Sequence, residues 1–173
     1  SSMNGVAAFG RNAKRMDLAR FALARGLASE ALGFLQIVAK ADLGAERKLE
    51  FRAMRGIAHA MLAQYDLAAV DLNDSALAGD PHVEIWRAMM MAEAEAPRFA
   101  AAKFQRFWGA VSAWPLRMQV RLIVAAGESA LAAGLVDGAE KFLQADIAPG
   151  APLTPVQFAA LAIVDGGVKA ARG

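Results

Sequence analysis

An all-α fold assembled from consecutive helix pairs is predicted by three observations. Much of the 57% hydrophobic content is alanine, while aromatic residues reach only 8% of the 173 positions. Alanine is the best helix former, and its small side chain lets helices approach closely. Strand-favouring types are scarce, with a single tyrosine (Tyr65) and a single threonine (Thr154). Finally, "ARGLASEALGFL" at 24–35 returns as "AAGLVDGAEKFL" at 132–143, with Ala24/Ala132, Gly26/Gly134, Leu27/Leu135, Ala31/Ala139, Phe34/Phe142 and Leu35/Leu143 identical at a separation of 108 residues.

That separation is three units of 36, so two intermediate copies are expected. Four units follow in order, at approximately 13–43, 47–80, 81–115 and 116–149, within a single domain over 1–173. In the first, Ala28, Ala31, Leu35 and Val38 form the apolar stripe of a second helix. In the second, Leu49, Ala53, Gly56, Ile57 and Ala60 mark a first helix, and Ala63 and Ala68 stand where Gly26 and Ala31 stood. Ser29, Asp66 and Asp137 share a register just before second helices and read as N-caps. Asp80-Pro81 opens the third unit as a cap followed by a first-turn proline. Aligning Trp86 with the opening aromatic places Ala102 at the inter-helix alanine of that unit, although its second helix packs more naturally through Ala100, Phe104, Phe107, Trp108 and Val111, two residues out of register, and Pro97 suggests a shortened loop. The fourth unit shows Ile123, Ala126, Gly127 and Ala130, then Leu135, Ala139, Phe142 and Leu143. Thr154, Pro155 and Gln157 spell a capping box that starts a last helix at approximately 155–165, packing through Phe158, Leu161 and Ala162 and stopping at Gly166-Gly167. A single terminal helix would cover the last pair's apolar face.

On these residues the chain resembles the tetratricopeptide repeats. Unit two carries the likeness best, through Gly56, Ala63, Tyr65, Ala68, Leu72, Ala76 and Asp80-Pro81; Trp86, Pro115, Gly127, Gly134, Ala139 and Leu143 supply the rest. The resemblance implies a right-handed α-solenoid of about four antiparallel helix pairs plus a C-terminal capping helix. It also implies a concave groove lined by the first helices. Carried over, the groove positions are Met16, Arg20 and Leu23, then Ala53, Ile57 and Met61, then Arg87 and Met91, then Arg121, Val124, Glu128 and Leu131. Arg20, Arg87 and Arg121 edge this surface and suit a carboxylate-bearing segment. The Lys-and-Asn clamp that some members use for terminal carboxylates is missing, which disfavours a chaperone-tail receptor.

Catalytic constellations are scarce. There are two histidines and no cysteine, which excludes disulfides and thiolate metal sites. His59 lies inside a helical pattern and reads as a half-buried packing residue. His82 in "DPHVE" sits beside Asp80 and Glu84 in one helical turn, where three groups do not converge on a metal. "GESAL" at 127–131 lacks the second glycine of a nucleophile elbow and falls in a helix. Neither a P-loop nor a GxGxxG fingerprint occurs. No catalytic residue, metal or cofactor is expected. The cluster "FQRFWGAVSAW" reads as core for Phe104 and Trp108, and Met89-Met90-Met91 must turn at least one thioether away from its own pair.

A mean hydropathy of +0.31 raises the question of a membrane, but the best apolar run, "FAALAIV" at 158–164, is far below the roughly 20 residues a spanning helix needs. No leader peptide is recognisable, and a cytoplasmic location is the expectation. Formal net charge is only +2, which disfavours nucleic acid. The charge is unevenly placed: Asp66, Asp71, Asp74, Asp80 and Glu84 form a base-free stretch, and Arg87, Arg98, Lys103, Arg106, Arg117 and Arg121 follow. The sequence therefore points to a non-catalytic module binding a protein or peptide partner, as a domain of a larger scaffold or assembly protein. The alternative is a stand-alone secretion or assembly chaperone; an RNA-binding helical repeat ranks third and an enzyme last.

Overall fold

The computed structural model describes residues 2–144, 147 and 150–173, with side chains from Gly10 onward. Its regular structure is helical throughout, and no strand occurs among the described residues. The all-α expectation is met. The end expected for the fourth unit, Pro149, lies outside the described residues. Two compact units make up the chain, Ser1–Ala78 and Gly79–Gly173.

In the first unit, α1 (Ser2–Ala24) packs on α2 (Ala28–Ala41), α2 on α3 (Leu49–Met61), and α3 on α4 (Tyr65–Leu72). Short 3-10 turns at Ala45–Arg47 and Ser75–Leu77 follow α2 and α4. The stripe expected on α2 is the buried one: Ala28, Ala31, Leu35 and Val38. Helix α3 buries more than a stripe, with Phe51, Met54, Gly56, Ile57, Ala58, Ala60 and Met61 all inside. Gly56 is the contact point with α4. A Cβ there would sit 2.6 Å from Leu72 Cδ2, 2.7 Å from Leu72 Cγ and 3.0 Å from Asp71 Cβ, closer than packed atoms tolerate.

In the second unit, α5 (Pro81–Glu93) packs against α6 (Pro97–Phe107) and α7 (Leu116–Ala132). Helix α8 (Val136–Leu143) packs on α7, and α9 (Pro155–Arg172) covers α7 and α8. The Asp80 carboxylate accepts from the His82 and Val83 N–H groups at 2.9 and 3.1 Å, which caps α5 as read from the sequence. Thr154 and Gln157 form the expected capping box on α9. The far end of α9 departs from expectation. Gly166-Gly167 does not stop the helix, which runs on to Arg172, and Phe158 and Ala162 are exposed while Val164 and Val168 are buried. The reason is packing: a Cβ on Gly167 would lie 2.8 Å from Leu131 Cδ1, and one on Gly127 would lie 2.5 Å from Val164 Cγ1. The glycines let α7 and α9 approach, and that contact outweighs their weak helix propensity.

The repetition is sharpest where each pair turns. Gly26, Ala63, Glu95 and Gly134 adopt left-handed φ values of 76, 58, 55 and 74°. The next residue's N–H bonds five residues back in every case: Leu27 to Ala22 (2.9 Å), Gln64 to His59 (2.9 Å), Ala96 to Met91 (3.0 Å) and Leu135 to Ala130 (2.8 Å). These next residues share one conformation, with φ/ψ of −92/68, −91/64, −109/59 and −96/65°, and they are the N-caps of the second helices. Ser29, Asp66 and Asp137 are thus not caps; they lie inside the first turn, because main-chain closure already fixes the helix start. The three-residue turn before Pro97 has the length of the others and is not shortened. The N–H groups of Ala31, Ala68, Ala100 and Ala139 close the first turn of each second helix, and all four residues are fully buried. The inter-helix alanine of the third unit is therefore Ala100, since Ala102 is exposed. The intervals between these alanines are 37, 32 and 39 residues.

Left-handed φ strains any residue with a Cβ. Ala63→Gly and Glu95→Gly should each raise stability by about 0.5–1 kcal/mol, read as a higher thermal midpoint. An unchanged or lower midpoint would show that these turns relax without glycine.

Candidate partner-binding surfaces

The positions carried over to the first helices do not share one fate. Leu23, Ile57 and Met61 are buried, at 5, 5 and 4% exposure, and offer no surface to a partner. Helix α3 is apolar around more than one stripe, so the side expected to be open at Ile57 and Met61 is used for packing, while Leu23 belongs to the buried stripe of α1 with Ala19 and Ala22. Arg20 is exposed but engaged: it donates to Asp17 at 2.6 Å and to Glu50, and these hydrogen bonds hold its pKa above the ordinary value. Met16 and Arg20 line a shallow cavity of about 220 Å³ with Glu50 and Phe51. In the second unit, Arg87, Met91 and Arg121 are half-buried and Glu128 is exposed, on the packed helices α5 and α7. Arg121 Nη1 lies 3.9 Å from Met118 Sδ.

Two buried carboxylates organise the charge, and the sequence reading singled out neither as such. Asp71 is 1% exposed on α4. It accepts from Arg55 Nε at 2.7 Å, Arg55 Nη2 at 3.0 Å and Arg52 Nε at 3.3 Å, both arginines coming from α3. Arg52 also pairs with Asp74, and Arg55 with Glu46 at 2.7 Å. The Asp71 hydrogen bonds raise the Arg55 pKa further, against burial. Such a fork-to-carboxylate pair is rigid and charge-assisted.

Glu84 on α5 is 4% exposed and is held by Arg87 at 2.7 Å, by Lys103 and by the Gly79 N–H at 3.1 Å. Burial pushes its carboxyl up. The Lys103 and Gly79 hydrogen bonds, with the charges of Lys103 and Arg87, outweigh that and hold it below the usual carboxylate range. A depressed folded-state pKa means that the stabilisation is fully present above the unfolded value and is lost as pH falls through the folded one. The thermal midpoint should therefore drop as pH falls below the ordinary carboxylate range, and Glu84→Gln should flatten part of that slope. An identical slope in the variant would assign the acid sensitivity elsewhere.

Arg87 thus serves an internal carboxylate. No family model, curated protein or solved structure matches this chain. What the surfaces can do is therefore read from their own chemistry. His59 is half-buried with Nδ1 at 2.7 Å from Gln64 Oε1, the packing role expected of it. His82 is exposed and meets the Trp114 ring edge-on at 5.7 Å. Among the described residues no three His, Asp or Glu side chains are grouped for a metal. Ser129 of "GESAL" is buried inside α7. No helix among the described residues is long and apolar enough to cross a membrane.

The aromatic cluster divides. Trp86 and Trp114 are buried and pack edge-to-face at 5.5 Å. Phe104 is fully buried, whereas Trp108 is half-exposed and lies 4.5 Å from the Phe142 ring. Trp108 and Phe142 line a cavity of about 490 Å³ between α6 and α8. The core expectation thus holds for Phe104 and fails for Trp108, whose ring reaches the cleft instead.

Proposed function

We propose that the chain is a non-catalytic protein-interaction module of the tetratricopeptide-repeat-like kind. In this reading it is a right-handed α-solenoid whose first helices present a groove to a peptide or helix, within a larger scaffold or assembly protein. One observation carries the reading: the same left-handed turn, with the same main-chain hydrogen bond and the same buried alanine, recurs four times. Serial helix pairs of one geometry are the building units of arrays that bind extended partners. Within the second unit, Met91 and Arg121 are half-buried and Glu128 is exposed, so these carried-over positions have surface to offer.

The test is a quantitative pull-down with the full chain, comparing wild type with an Arg121→Glu/Glu128→Arg double variant. Partner recovery should fall several-fold while circular dichroism stays unchanged. Recovery equal to wild type would overturn the groove assignment. Arg87 is unsuitable for this purpose, because Arg87→Glu would set a second carboxylate against Glu84.

A further inference from the structure

We propose that the cleft between α6 and α8 docks an acidic polypeptide segment bearing a bulky apolar anchor. This rests on the protein-binding reading but places a second site on the second helices, away from Arg121 and Glu128. The cleft is built for an apolar side chain. Its wall is the Trp108–Phe142 pair, tilted at 45°, with Phe104 6.5 Å from both rings. Leu135, nearly half exposed, and Val136 line it from the other side, where the left-handed turn at Gly134 opens into α8. A volume of about 490 Å³ lies in the range of pockets that enclose a ligand group.

Charge identifies the occupant. Helix α6 carries Arg98, Lys103 and Arg106 and no acid; no Asp or Glu occurs from 96 to 127. Lys103 is taken by Glu84. Arg98 and Arg106, both exposed, and Lys141, which lines the cleft, form no ion pair among the described residues. Helical spacing puts Arg98, Ala102, Gln105 and Arg106 on the exposed face of α6, and Gln105 also lines the cleft, so the basic face and the aromatic wall adjoin. The acids of α8, Asp137 at the cleft lining and Glu140, share one cation: Arg172 donates to them at 2.8 and 2.6 Å, which leaves one carboxylate charge unmatched. Arg98, Arg106 (which also stacks on the Phe107 ring) and Lys141 outnumber the one unmatched carboxylate, so the surface keeps a net positive charge that complements an acidic segment whose apolar residue seats on Trp108. A nucleic acid would need a longer run of phosphate contacts than three cations supply.

The test is an NMR titration of the full chain with a short peptide carrying a central Leu-Leu pair flanked by glutamates. The Trp108 indole N–H and the Gly134 and Gly138 amides should shift, while the indoles of Trp86 and Trp114 stay in place. Affinity should fall about tenfold or more in Arg98→Glu/Arg106→Glu and in Leu135→Glu, and should be unchanged in Arg121→Glu, which separates this site from the groove. If Leu135→Glu unfolds the chain, the exposed arginine pair alone decides. The proposal is overturned by a silent Trp108, by equal binding of a lysine-flanked peptide, by binding that survives the arginine reversal, or by tighter binding of a single-stranded oligonucleotide or of anionic vesicles.

Discussion

Asp71→Ala is expected to destabilise the first unit by about 3–5 kcal/mol, the cost of breaking a buried charge pair from one side. The carboxylate is sealed from water between α3 and α4 and answers two arginines at once. Removing it leaves the Arg52 and Arg55 side chains, each about three-quarters buried, with Asp74 and Glu46 as the remaining carboxylates in their ion pairs. Asp71→Asn keeps the shape and one acceptor and should cost less. Urea titration gives the answer through the midpoint at constant slope. A loss below about 1 kcal/mol would mean that the arginines swing out to water without penalty.

Gly56→Val should cost about 3 kcal/mol, and Gly33→Ala should stabilise by roughly 0.5–1 kcal/mol. Both glycines are inside helices, so propensity alone predicts a gain at either site. They differ in what stands beside them. A Cβ at Gly33 meets nothing within 4 Å, whereas one at Gly56 meets Leu72 and the backbone-anchored Cβ of Asp71. Because Asp71 Cβ cannot retreat without disturbing the arginine fork, the strain is not relieved by a simple rotamer change. Thermal melts of the two variants should move in opposite directions. A shift of the same sign would place α3 and α4 farther apart than described.

Much of the fold was legible because helix pairs leave local marks. The alanine and glycine spacing, the Asp80-Pro81 start and the Thr154/Gln157 box act within a few residues, so the sequence displays them directly. The left-handed turns at Ala63 and Glu95 were harder to read. Neither residue favours that conformation, and only the hydrogen bonds of the closed turn impose it. The extension of α9 past Gly166-Gly167 was hidden for a related reason: Gly167 answers to Leu131 on another helix, not to its own.

The candidate site was the less legible part. Arg55 and Asp71 lie 16 residues apart and meet only once α3 and α4 are folded against each other, so the base-free acidic stretch conceals a buried anchor. Leu23, Ile57 and Met61 failed as surface residues because a family register fixes the angle of a side chain about its helix, not whether a neighbour covers it. The core reading of Trp108 with Phe104 rests on their four-residue spacing, which suits one helical stripe, but α6 ends at Phe107 and the spacing no longer fixes where the indole goes.

At each corner of the four hairpins the geometry comes from main-chain amide and carbonyl groups, which are present whatever the side chain. The second residue after each corner is Ser29, Asp66, Arg98 and Asp137 in turn: neutral, negative, positive, negative. Those positions carry no capping duty, so mutation can reverse their charge without loosening the bend. New recognition preferences can therefore arise at the corners while the scaffold beneath them is left untouched.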